Sequence, residues 1–338
     1  MHYLLKNQKL LFNLLSRNIE KKPYLVVIIL HEYYRNLYFS DEYYNFKIKN
    51  PFLRLNKVQK ECISILKSSI NFASYKINYE KENSQELKKK TGKVYGKLWK
   101  KFTPSENTKA KKFILERFKN YKYFDNNFFK HKTVIDVGCG GGRYSNALKN
   151  LGAKKVYGVD YGSDGLKLAK KNYKKKNLIF MKQNVLNLTF AENKFDIVFC
   201  NGVLHHTSNI DKGIKELIRV CKPGGFIFLF LYGTSGLFWD ARKRMNKLMK
   251  LIPEYYSQKV LDLIGLPSDR FIFMDNWYVP IETHSSHRNI YNLLKKYKVK
   301  NISKMTSGRI TDLETGLKKI KNSKVIWGEG DIRLLFQK

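Results

Sequence analysis

The segment Thr133-Val-Ile-Asp-Val-Gly-Cys-Gly-Gly-Gly-Arg143 constrains the fold more than any other part of the chain. Its apolar, β-branched opening reads as a buried strand, and the glycines that follow let the backbone turn sharply into a helix. A strand, a tight turn and a helix make half of a β-α-β unit, and such units need a parallel sheet covered by helices. The same alternation runs from Thr103 onward. Strands are expected near Thr133–Val137, Lys155–Val159, Leu178–Gln183, Asp196–Cys200 and Gly225–Leu231, with helices near Arg143–Leu151, Ser163–Lys171 and Asp211–Val220. Lys222-Pro223-Gly224-Gly225 should stop the last of these helices and turn the chain into the next strand. A helix over about Ser286–Tyr297 and strands near Val299–Met305 and Ile332–Phe336 complete the pattern. The expected fold class is α/β: a Rossmann-like, doubly wound sheet of about seven strands, mostly parallel, with the last strand antiparallel.

The spacing of the glycine cluster bears on what it binds. A dinucleotide fingerprint anchored at Gly138 and Gly140 needs a third glycine at position 143, which is Arg143. The chain has instead D-x-G-x-G-x-G from Asp136 to Gly142. An acid opening the loop favours an ammonium or sulfonium ligand over a pyrophosphate, while the helix N-terminus offers unpaired N–H groups to a nucleotide-like cofactor. Asp160 ends the second strand, where a carboxylate accepts the hydroxyl protons of a ribose. Asn184 and the Val185 N–H follow the third strand at the place for an adenine edge, and Asn201 is delivered to the carboxyl end of the fourth.

In order and at ordinary separations, VIDVGCGGGR, VYGVD, FDIVFCNGVLHHT and RVCKPGG resemble the class I S-adenosylmethionine-dependent methyltransferases, in the small-molecule branch that includes ubiquinone-type enzymes. The likeness covers about Thr103 to Lys338. It implies S-adenosyl-L-methionine as cofactor, with Asp136, Gly138, Gly140 and Gly142 shaping the methionine pocket and Asp160 and Tyr161 at the ribose. Asn184 and Val185 would lie at adenine and Asn201 beside the transferable methyl. Asn184 stands where the family usually has Asp.

Methyl transfer from a sulfonium is an in-line displacement, and a hydroxyl acceptor gains from a general base. His205 and His206, just past the fourth strand, are the candidates, with Asp275 a third. The stretch from about 232 to 285 is an expected substrate cover; in it Trp277 and Tyr278 also suit plain packing, and His284 suits orienting a hydroxyl. Arg242 and Arg244 sit two apart, so at most one would face a site. Tyr95 or Trp99 could stack on the cofactor as part of a lid.

Residues 1–90 form an N-terminal accessory segment without a chemical motif, and 91–338 the methyltransferase domain. Leu10, Leu11, Leu14, Leu15 and Ile19 recur at helical spacing, whereas Tyr24–Leu30 reads as one buried strand. The stretch Lys81–Lys101 reads as a linker. With 338 residues, a sizeable core is within reach. Against 28 acidic residues stand 65 Lys and Arg, a formal net charge of +37 that suits a polyanion partner or a lysine-biased composition equally. Four dispersed cysteines match no metal pattern or disulfide framework, and no apolar run approaches the length of a membrane span, so a reducing, cytoplasmic setting is expected. The acceptor read from these features is a hydroxyl on a small molecule, glycan or lipid precursor. RNA, or a non-catalytic role as a cofactor-binding scaffold, are the alternatives.

Overall fold

The computed structural model describes residues 2–38, 51–68, 104–122, 124–125, 127–264, 270–307 and 323–338. Tyr95, Trp99 and the Lys81–Lys101 stretch lie outside them. Two compact units emerge, one of residues 1–82, 234–279 and 315–329, the other of 83–233, 280–314 and 330–338.

The first unit opens with helices α1 (His2–Asn18), α2 (Pro23–Tyr38) and α3 (Pro51–Ser68). On α1, Leu4, Leu11 and Leu15 are buried, the expected amphipathic stripe. The strand expected at Tyr24–Leu30 is instead the first half of α2. Val26, Val27, Leu30, Tyr33, Tyr34 and Leu37 are buried at helical spacing while Tyr24 and Ile28 are exposed, so packing on one face outweighs the β preference of Val and Ile. Pro23, at the first helical position, suits that start.

The second unit carries α4 (Pro104–Phe118), β1 (Thr133–Val137), α5 (Arg143–Asn150), β2 (Lys155–Asp160), α6 (Ser163–Asn172), β3 (Leu178–Lys182), β4 (Phe195–Asn201), α7 (Ile210–Val220) and β5 (Cys221–Leu231). The chain then returns to the first unit for α8 (Gly236–Met249), α9 (Glu254–Leu263) and α10 (Arg270–Tyr278), and again to the second for α11 (His287–Lys296), β6 (Lys300–Lys304) and, after the short α12 (Lys324–Trp327), β7 (Ile332–Gln337). Within the first unit the Gln8 amide donates to Asp240 at 2.6 Å, Asn276 to the Tyr34 hydroxyl at 2.5 Å, and the Trp327 indole to the Leu37 carbonyl at 3.1 Å. Most of the expected substrate cover is therefore packed on the N-terminal helices.

The seven strands form one sheet in the order β3-β2-β1-β4-β5-β7-β6, with β7 antiparallel to both neighbours and β1 to β5 parallel. Side chains alternate between two cores: Ile135 and Val137 join the layer under α7 and α11, and Val134 the layer under α4, α5 and α6. Strand β5 begins at Cys221, four residues earlier than expected. The Lys222-Pro223-Gly224-Gly225 stretch is a bulge inside the strand, with Gly224 at φ +73° and a register shift opposite Asp196.

Candidate functional site

Successive strands leave β1 in opposite directions, β2 to one side and β4 to the other, so the sheet has its switch point between β1 and β4. Val137 pairs with Cys200 there, which brings Gly138 and Asn201 to the same edge. The loop from Gly138 to Gly142 needs its glycines for two reasons. Gly138 sits at φ +72°, and a Cβ on it would lie 2.2 Å from the Val203 side chain. Gly142 caps α5 at φ +82°, and a Cβ there would meet Ala169 and Phe180 at 2.8 Å. Gly140, at φ +51°, lies between them.

Asp160 ties this loop down. One carboxylate oxygen accepts the Gly140 N–H at 2.8 Å and the other the Gly162 N–H at 2.7 Å. Burial raises its pKa above the usual carboxylate value, against those backbone hydrogen bonds. Asp136 is turned into the layer under α5, where it accepts from the Ser145 hydroxyl at 2.6 Å. Burial first, opposed by that hydrogen bond, and then the charge of Asp160 push it up to about 7. Next to Asp160, Tyr161 is exposed, with the Lys182 ammonium over its ring. The exposed Asn184 accepts the Leu186 N–H at 3.0 Å through Oδ1, so its free-facing group is the amide NH2; Val185 is buried in the core. These positions share the carboxyl edge of the sheet, as the sequence spacing requires.

Beyond β4 a single 3-10 turn holds Leu204, His205 and His206. His205 is fully buried, stacked on Tyr232 with ring centroids 3.5 Å apart, and its Nδ1 accepts the Tyr232 N–H at 3.2 Å. A neutral His205 must then carry its proton on Nε2. His206 has the opposite tautomer, because its Nδ1 faces the Ile281 carbonyl at 2.8 Å and must donate. His284 closes the cluster, donating to the Gly233 carbonyl at 2.9 Å and pairing with Glu282 at 2.8 Å. Asp275 falls on α10 in the other unit, and its side chain lies outside the described residues. Arg242 is buried and Arg244 pairs with Asp240 at 2.8 Å, also in that unit.

Sequence reasoning passed over Arg117. From α4 its guanidinium donates to Asn201 Oδ1 at 2.9 Å, to the Ser307 carbonyl at 2.8 Å and to the Tyr144 hydroxyl at 3.2 Å, and it lies over the Tyr144 ring. The available signal was its type, one of 12 arginines in a chain with 53 lysines. The Tyr232 stack carried no signal, since His205 lies 27 positions away, whereas Glu282 pairs with His284 only two positions on.

A methyltransferase-domain family model matches residues 135–229. The chain is 31% identical over 218 residues to the tRNA U34 carboxymethyltransferase of Campylobacter hominis, an alignment covering 61% of this chain and 68% of the relative. It is 29% identical over 202 residues to the demethylmenaquinone methyltransferase of Leptospira interrogans, covering 57% and 72%. A third relative, the ubiquinone biosynthesis O-methyltransferase of Coxiella burnetii, is 38% identical over 101 residues, covering 29% of this chain and 43% of its own. Together with the glycine loop, the acid at the end of β2 and the seven-stranded sheet, these likenesses place the chain in the class I S-adenosylmethionine-dependent methyltransferases.

Proposed function

We propose that the enzyme methylates a hydroxyl of a small molecule, glycan or lipid precursor, with the donor held at the switch point between β1 and β4. The residues there fit S-adenosylmethionine: the three left-handed glycines keep side chains out of the loop, and Asp160 retains lone pairs for ribose hydroxyls after accepting two N–H groups. When bound, the donor supplies a methyl already activated on a sulfonium. Gly138, Gly140 and Gly142 form the wall against its methionine part, with Asp136 bracing them through Ser145. Asp160 and Tyr161 take the ribose, Asn184 and Val185 the adenine edge, and Asn201 the methionine end.

His206 is the general base in this reading. With its Nδ1 proton given to the Ile281 carbonyl, its lone pair is on Nε2, the nitrogen that can take a proton from an acceptor hydroxyl. His205 spends its lone pair on the Tyr232 N–H and serves as a packing platform. That tautomer difference carries the assignment of the base, and the names of the quinone-pathway relatives favour a small acceptor. A labelled-methyl assay over phenolic and sugar acceptors tests it: His206→Ala should lower kcat about a hundredfold or more with unchanged affinity for S-adenosylhomocysteine. Full activity in that variant overturns the role of His206.

RNA is the second reading. It is favoured by the transfer-RNA relatives and by the edge of the sheet remote from the glycine loop. Every strand brings a lysine there, in sheet order Lys176, Lys154, Lys132, Lys194, Lys222, Lys338 and Lys300, against the carboxylates of Asp125, Glu192 and Asp196. If this row holds RNA, reversing Lys132, Lys154 and Lys176 to Glu should weaken binding far more than reversing Lys6, Lys57 and Lys60 of the helical unit. Affinity should also fall steeply with salt. Equal effects of the two sets would mark the charge as compositional.

A further inference from the structure

We infer that Arg117 is a positioning residue for the donor: it fixes the Asn201 amide so that Asn201 presents N–H groups, and no carbonyl, to the methionine carboxylate. The inference rests on the donor site proposed above and adds to it a direction of hydrogen bonding.

The amide orientation follows from donor chemistry alone. A guanidinium has five N–H donors and no acceptor, so the Asn201 atom 2.9 Å from it is the oxygen. The NH2 group then points the other way. Arg117 is itself held by donation to the Ser307 carbonyl and the Tyr144 hydroxyl, so four separate segments meet on one side chain: α4, the end of β4, the first turn of α5 and the chain after β6. Asn201 therefore has little freedom to turn over.

Stability alone gives a poor reason for a charge here. Arg117 is 7% exposed with its guanidinium over the Tyr144 and Phe228 rings, a setting in which an apolar side chain of similar volume packs without the cost of desolvating a cation. A buried cation that orients a neighbour at the switch point is a pattern expected where recognition is served as well as folding. The group that Asn201 meets must accept hydrogen bonds, and in an S-adenosyl amino acid the acceptor at the methionine end is the carboxylate.

The test uses two ligands that differ in that end. S-adenosylhomocysteine carries the amino-acid carboxylate and 5′-methylthioadenosine lacks it. By calorimetry on the full chain, Arg117→Met and Asn201→Ala should each weaken S-adenosylhomocysteine about tenfold, leave methylthioadenosine within about twofold, and combine to no more than the larger single effect. Arg117→Lys should restore part of the loss. Thermal unfolding of Arg117→Met should stay level with the wild type or rise. Additive losses, or equal losses for both ligands, overturn the inference, as does unchanged affinity in Asn201→Ala, which remains informative if Arg117→Met fails to fold. Asp160→Ala separates the two levels of argument. Loss of both ligands there with no effect at Arg117 leaves the donor site standing and removes only the positioning role, whereas wild-type affinity in Asp160→Ala removes the donor site itself.

Discussion

A single buried proton links the glycine loop to pH. The carboxyl of Asp136 rises from 3.8 when unfolded to about 7 when folded, chiefly because burial disfavours its charged form. An acid raised in this way stabilises the fold when protonated. Its contribution is complete below the unfolded value and is lost as pH climbs through about 7. Urea unfolding should therefore show stability declining between about pH 4 and about pH 7, and Asp136→Asn, which keeps an acceptor for Ser145, should flatten that decline. Parallel profiles for the two proteins would remove Asp136 as the source. The histidine pair makes the complementary case, since two adjacent rings of one type are separated in role by which nitrogen each gives to the backbone.

Among the elements, the glycine loop is the least forgiving. Gly138→Ala places a methyl on Val203 and a side chain at positive φ, so a stability loss of about 1–3 kcal/mol is expected by thermal or urea unfolding, with weakened cofactor binding. Adding Val203→Ala should recover only the part due to contact, because the backbone strain persists. Full recovery would show that φ costs nothing. Most of the sheet was legible in advance, since strands buried on both faces announce themselves as apolar runs between glycine turns. The failures have definite causes. Helix α2 carries a strand-like composition because Val26 and Val27 and then Leu30, Tyr33 and Tyr34 line one face, a stripe visible only when the window extends past Leu30. Strand β5 starts early because pairing of Cys221 with Phe195 survives the bulge at Gly224. Of the site, the residues on strand ends were readable from spacing, whereas Arg117, Tyr232 and Glu282 act across 84, 27 and 2 positions respectively, the first two on partners no local pattern could name.

At the scale of the whole chain, the helical unit is assembled from three separated stretches, so it cannot be removed by cutting at one end. Deleting residues 1–82 strips α1, α2 and α3 from α8, whose Leu237, Phe238, Met245 and Met249 are buried. That fragment should bind a hydrophobic dye and precipitate where the full chain does not. A soluble, dye-silent fragment would show that the remaining helices suffice. Among the described residues no helix is long and apolar enough to cross a membrane. The four cysteines are all buried, with thiols made less acidic by that burial; Cys62 reaches about 12 and lies in the helical unit, while Cys139, Cys200 and Cys221 lie in the sheet unit. The molecule thus carries built-in clocks for its own opening. Maleimide alkylation followed by peptide mass mapping would time each unit separately, without a fluorophore, an engineered tag or knowledge of the substrate.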